Sequence, residues 1–237
     1  MILNKKEKKI TLPPCVIMAG GLGKRLGSLT KNTPKPIIKI KKIPYIIFLF
    51  NWLRKNGFKK FYIFTSYKKE KINKVIKNYF LKNKELKYKI FTDKKRSGTF
   101  KALSDQLRFL DNIFFYTNAD EIANFNIKKM FTQFIKSKTG ITCCVLKAKN
   151  GQISLNKKKG MIDKVCSKKK EKYIDCGYKF FSKKIFNKTK KSFSKIEHFL
   201  YNGYLKKEDI SFFILKKLPL RIDTALDIKR TTKFLSE

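Results

Sequence analysis

One histidine, His198, is all that 237 residues supply, and nothing beside it completes a histidine-based catalytic triad. It reads as a surface residue. The five cysteines, Cys15, Cys143, Cys144, Cys166 and Cys176, are odd in number and never stand as CxxC. With a single histidine to help them they make no zinc pattern, and at this chain length they read as reduced, mostly buried thiols. Long apolar runs are missing too. The longest, Ile43 to Leu53, holds Pro44 and Asn51 and falls far short of the roughly 20 residues that span a bilayer. The lysine-rich start, Met1 to Pro14, leads into an apolar stretch too short for a signal-peptide core. The expectation is a cytoplasmic protein with no membrane partner.

Acidic residues are scarce: 17 Asp and Glu stand against 58 Lys and Arg, for a formal net charge of +41. Arginine is scarce as well, confined to Arg25, Arg54, Arg96, Arg108, Arg221 and Arg230. Nucleic-acid readers favour the bidentate fork of arginine, whereas these lysines are spread along the whole chain, so no specific nucleic-acid partner is expected. The runs Lys157 to Lys159 and Lys168 to Lys170 read as solvated turns. The charge should still draw anionic substrates at low salt. A hydrophobic content of 42% is enough for one domain with a substantial core, here taken as 1–237.

What the chain does have is the stretch Cys15 to Pro36, CVIMAGGLGKRLGSLTKNTPKP. A short apolar strand breaks into Gly20, Gly21 and Gly23, where a missing Cβ lets backbone N–H groups approach a phosphate. Two standard phosphate motifs fail here. The only Gly-Lys pair, Gly23-Lys24, is followed by Arg25, and Met18 stands where a P-loop needs its first glycine. The dinucleotide fingerprint fails by one place, because its third glycine falls at Gly27.

Further along, the pattern predicts a short strand over 37–40, then a helix from Pro44 to about Asn56 stopped by Gly57, with Trp52 in the core. Strands follow at 59–65, 88–92 and 113–117, and helices at 69–81 and 99–109. That alternation implies βαβ units and a parallel sheet. The second half offers short strands at 141–146, 162–165, 174–181 and 210–215 and a last helix from about Ala225 to Leu235. Ligands of such sheets sit beyond the carboxyl ends of the strands, which singles out Asp120, just after the apolar 113–117 strand. An aspartate in that place also serves as a helix cap.

The glycine stretch resembles the signature of the sugar-1-phosphate nucleotidyltransferases, roughly GGxGTRLxxLTxxxPKPxxxIxxxP. Here it reads Gly20-Gly21-Leu22-Gly23-Lys24-Arg25-Leu26, then Leu29-Thr30, Pro34-Lys35-Pro36, Ile40 and Pro44, with Lys24 in place of threonine. The resemblance implies an α/β fold with a Rossmann-like, mixed but mainly parallel sheet flanked by helices. It implies a nucleotide-binding half over 15–125, a sugar-binding half over 126–237 and a basic extension over 1–13. A nucleoside triphosphate would be held by Ala19, Gly20, Gly21, Gly23, Lys24 and Arg25, and by Asp93, Gly98 and Thr99 in a turn whose Phe100 and Lys101 replace family glycines. The sugar would meet Asp175, Gly177 and Glu197. Mg²⁺ would bind Asp120 and Asp223, with Ala119 just before the first and Ala225 two positions after the second in place of family glycines; Asp227 is a local competitor better suited to capping. Arg25 and Lys35 would be catalytic. The implied reaction joins a nucleoside triphosphate and a sugar 1-phosphate, most like the heptose-1-phosphate guanylyltransferase branch, which serves surface-polysaccharide precursors. Its replaced glycines also suit a catalytically weak nucleotide-sugar-binding subunit. The sequence leaves homo-oligomerisation open.

Overall fold

The computed structural model describes residues 10–234 except 94, 167, 169, 189–192 and 206–207. Residues 1–9 of the basic extension, Lys169 of the second lysine run and Leu235 of the expected last helix lie outside the described residues.

Nine strands form one sheet: β1 (Cys15–Met18), β2 (Lys60–Thr65), β3 (Lys87–Thr92), β4 (Ile113–Asn118), β5 (Ile141–Gly151), β6 (Ile153–Asn156), β7 (Met161–Val165), β8 (Glu171–Ser182) and β9 (Ser211–Leu215). Their order is β3-β2-β1-β4-β8-β5-β9-β7-β6. The first four are parallel neighbours, as the alternating pattern requires. From β8 onward the pairing is antiparallel, apart from the parallel pair β5 and β9. The result is a mixed sheet with a parallel first half.

Both faces are covered, and the side-chain alternation reports it. Cys15, Ile17 and Phe115 join one core cluster, while Val16, Phe114 and Tyr116 join the other. A central strand buried on two faces needs the unbroken apolar run that β4 carries. The helix α1 (Tyr45–Lys55) buries Tyr45, Ile46, Leu49, Phe50 and Leu53, one face at helical spacing. Phe50 packs against Phe61, Tyr79 and Phe80 with ring centres 6.1, 4.9 and 5.2 Å away. Gly57, at φ +100°, ends the helix: its N–H reaches Arg54 O and that of Phe58 reaches Leu53 O, which satisfies the last carbonyls.

Three expectations are corrected. Residues 37–40 are not one strand: Lys35–Ile37 is a 3₁₀ turn, and only Lys39–Ile40 extends, pairing with Ile43–Pro44. Pro36 has no N–H to give a ladder, and the N–H of Ile37 turns back to Pro34 O. The helix expected over 99–109 stops as α3 (Thr99–Ser104), because the N–H of Gln106 takes the carbonyl of Leu103 and tightens the chain into a second short turn. Strand β6 went unpredicted; it lies on the edge and carries no strong apolar run.

Helices α2 (Lys69–Lys82), α4 (Ile127–Ser137) and α5 (Ala225–Phe234) complete the layers. Asp227 caps α5 as expected: its carboxylate accepts from Thr224 N while Thr224 Oγ1 accepts from Asp227 N. All five cysteines are free, and four are buried. Among the described residues, no helix is long and apolar enough to cross a membrane.

Candidate active site

The carboxyl ends of β1, β2, β3 and β4 lie side by side, and the residues that follow them frame a cavity of about 420 Å³. Gly20, Gly21, Ser66, Asp93, Gly98, Thr99, Ala119 and Asp120 are among its walls. Gly23, at φ +65°, turns the glycine loop with Thr30 Cγ2 only 2.8 Å from where a Cβ would stand, so a larger residue is excluded twice over. Thr30 closes the loop by donating from Oγ1 to Gly23 O.

A second cavity, of about 210 Å³, adjoins the first and shares Asn118 and Asp120 with it. Its walls bring together Arg25, Glu121, Asp175, Gly177, Glu197, Arg221 and Asp223. Sequence positions about 200 residues apart thus meet in one place, and they draw on both halves of the chain.

Lys35 stands at the seam. It is 8% exposed, and its ammonium donates to both Asp120 Oδ2 and Asp223 Oδ1. Pro34 and Pro36 fix the short turn that aims it. Arg25 Nη2 reaches the same Asp223 oxygen at 2.9 Å. Burial works to raise the Asp223 carboxyl, but Lys35, Arg25 and Arg221 outweigh it and hold the group below its ordinary value. The two carboxylates therefore converge on a single seat already filled by a cation. Among the described residues no third ligand of this kind joins them.

The floor of the second cavity is a network that the sequence did not reveal. Lys179 is fully buried, its Nζ 2.8 Å from Asp175, and Tyr201 donates to Asp175 Oδ2 at 2.8 Å. Burial works against the Lys179 charge, yet Asp175 outweighs it and raises the amine. Glu121, also buried, pairs with Arg221 Nε at 3.2 Å, and burial pushes its carboxyl up to about 8 against the pull of Arg221. Gly177 lies against this carboxylate: a Cβ there would come within 1.7 Å of Glu121 Oε1.

Most expected residues are brought to the two cavities, with some changes of place. Gly20, Gly21, Asp93, Gly98, Thr99, Lys35 and Asp120 frame the first, while Arg25, Asp175, Gly177, Glu197 and Asp223 frame the second. Lys24 departs from expectation; it is exposed and lines neither. Ala19 is buried beneath the loop, with its N–H already given to Phe64 O. Asp93 spends its carboxylate on its own turn, accepting from Lys95 N, Ser97 N and Ser97 Oγ. Glu121, Arg221, Lys179 and Tyr201 were missed. Their one advance signal was position: Glu121 follows Asp120, and Arg221 precedes Asp223 by two.

Residues 15–202 match the Nucleotidyl transferase family. The chain belongs to that family. Among curated proteins it is 33% identical over 201 residues to the D-glycero-alpha-D-manno-heptose 1-phosphate guanylyltransferase of Campylobacter jejuni, which covers 81% of this chain and 86% of that one. The enzyme of the same name from Aneurinibacillus thermoaerophilus is 30% identical over 129 residues, 54% of each chain. In three dimensions the fold matches HddC from Yersinia pseudotuberculosis with a TM-score of 0.77, at 20% identity, over 94% of this chain and all of that one. These relatives place the chain with the sugar-phosphate nucleotidyltransferases.

Proposed function

We propose that the protein joins GTP and a heptose 1-phosphate into a nucleotide-sugar, with release of pyrophosphate. The single observation that carries this reading is the meeting of two cavities at Asn118 and Asp120, with Lys35 at the seam. The first cavity would take the triphosphate and the second the sugar phosphate. Guanine and heptose are suggested by the Campylobacter relative's name and by the Asp-Cys-Gly-Tyr and Ser-x-x-Glu elements of this chain.

An oxygen of the sugar phosphate would attack the α-phosphorus in line, forming one P–O bond as the bond to the leaving pyrophosphate breaks. The attacking group is already an anion. No general base is needed, which suits a site without histidine. Lys35 would hold the α-phosphate and the sugar phosphate together, and Arg25 would offset charge on the phosphates. Asp120 and Asp223 fit a divalent cation: both are oxygen donors, and they already share one ammonium. Bound there, Mg²⁺ would supply neutralisation of charge on the phosphates. The reaction belongs in the cytoplasm, where free thiols such as these stay reduced.

The test is pyrophosphate release from a matrix of nucleoside triphosphates and sugar 1-phosphates with Mg²⁺, run beside Asp120→Ala. Release with GTP and heptose 1-phosphate, lost in the variant, is the expected result. Silence across the matrix from folded, nucleotide-sugar-binding protein would replace this reading with that of a binding subunit.

A further inference from the structure

The second cavity contains a paired carboxyl and guanidinium that neither the metal seat nor the phosphates require. Glu121 is packed behind Asp120 and against Gly177. Arg221 faces it across a two-residue ribbon in which Leu220–Arg221 pairs with Glu121–Ile122. The side-chain contact is a single donation from Nε to Oε2. A guanidinium has five N–H groups, and among the described residues the terminal four of Arg221 have no hydrogen-bond partner. Yet the side chain is only 28% exposed and forms part of the cavity wall. A pair that served the fold alone would turn its fork toward the carboxylate; this one leaves the fork free.

Beside a second cation, Arg25, and the amide of Asn118, that wall carries side chains of opposite character. Glu197 and Asp175 offer oxygen acceptors, and Asp175 already accepts from Gly177 N, Lys179 and Tyr201. We infer that Arg221, aimed by Glu121, is a specificity-determining residue: its free N–H groups donate to oxygens of a neutral, polyhydroxylated sugar 1-phosphate whose own hydroxyls donate to Asp175 and Glu197. The inference rests on the sugar-phosphate reading of this cavity. Charge of either sign on the sugar is disfavoured. A sugar carboxylate would face Asp175 and Glu197, and a sugar ammonium would face Arg221.

Calorimetric binding and pyrophosphate release are to be measured with three probes: a neutral heptose 1-phosphate, a uronic acid 1-phosphate and a 2-amino sugar 1-phosphate. The proteins are the full chain, Arg221→Lys and the double variant Glu121→Gln/Arg221→Gln, which replaces both partners and so leaves no buried carboxyl unpaired. The full chain should favour the neutral probe about tenfold or more over each charged one, as expected when a buried polar group would be mispaired. In the double variant the preference over the amino sugar should shrink, and Arg221→Lys, which keeps the charge, should retain it; in both, the neutral probe's Kd and KM should rise about tenfold while the KM of the nucleoside triphosphate stays within about twofold. Equal acceptance of a charged probe by the full chain, or a double variant with an unchanged preference over the amino sugar, would overturn the inference. A loss of both substrates together with a lowered melting temperature would also overturn it, by assigning the pair to the fold. If the neutral probe binds and no pyrophosphate is released, the reaction reading fails, and the binding ratios still decide this one. If no probe binds while pyrophosphate is released with another phosphate acceptor, the inference falls and nucleotidyl transfer stands.

Discussion

The side-chain oxygen of Thr99 accepts the amide hydrogen of Ile196 at 2.9 Å. Thr99 is on the rim of the first cavity, and Ile196 directly precedes Glu197 of the second. One hydrogen bond thus joins the rim of the first cavity to a carboxylate of the second, 98 positions further on, with a second tie from Phe100 N to Ser194 O at 3.0 Å. Thr99→Val keeps the shape and removes the acceptor, leaving an N–H at the start of a helical turn unpaired. The cost should be about 1–3 kcal/mol in denaturant unfolding. The KM of the sugar phosphate should rise more than that of the nucleotide, although Thr99 lines the first cavity. Equal change in both would mean that the tie does not reach Glu197.

Phe100 explains its own departure from the family glycine. It is 5% exposed, with its ring against Phe186, Phe193 and Phe199 at 5.9, 5.5 and 4.7 Å. The turn is anchored by an aromatic cluster. Phe100→Ala should lower unfolding free energy by about 3–5 kcal/mol, the usual range for a buried phenylalanine. A loss under about 1 kcal/mol in a urea titration would show that the cluster closes without it.

Asp111 accepts from Lys60 at 2.7 Å and Tyr62 at 2.6 Å. Burial tends to raise its carboxyl, but these two partners prevail and hold it below the ordinary value. A carboxyl lowered on folding contributes stability that is present above its unfolded value and lost as pH falls through its folded one. The urea midpoint of the native chain should therefore decline over the acid range more steeply than that of Asp111→Asn. Both side chains are about 40% exposed, so solvent limits the difference. Parallel acid limbs would remove Asp111 from the account.

The fold and much of the site could be read in the sequence because both rest on local signals. Period-two and period-3.6 apolar spacing located the core strands and helices, and the fixed spacing from Gly20 to Lys35 located the loop. Pairings decided by the packed fold could not be read. Lys179 sits among aromatics in a chain with 58 Lys and Arg, and nothing local separates it from a surface lysine. Its burial depends on Asp175, four residues back on a strand whose register shifts between the two, at Gly177. A regular strand would separate their backbones by roughly 13 Å. Lys24 shows the other side of this: a motif position fixes the backbone of the loop, and the side chain here is exposed and lines neither cavity.

Lys35 gives the sharpest test of the seam. Replacing it by alanine removes the one cation shared by Asp120 and Asp223 and leaves two carboxylates facing each other, with Arg25 pairing only the second. Two effects should follow together. Turnover should fall about 10²- to 10³-fold, the scale seen when one preorganised charge-stabilising donor is lost. Thermal stability without metal should drop, and millimolar Mg²⁺ should raise the melting temperature of Lys35→Ala by more than that of the native chain. The reason is linkage: a ligand stabilises the folded state in proportion to its affinity, and a cation binds more tightly to a seat with no resident ammonium. Lys35→Met, which keeps the length of the side chain without its charge, should behave like alanine in both measurements. If the methionine variant retained turnover, length rather than charge would be what the seam requires. If neither variant responded more strongly to Mg²⁺ than the native chain, the two carboxylates would not be its ligands.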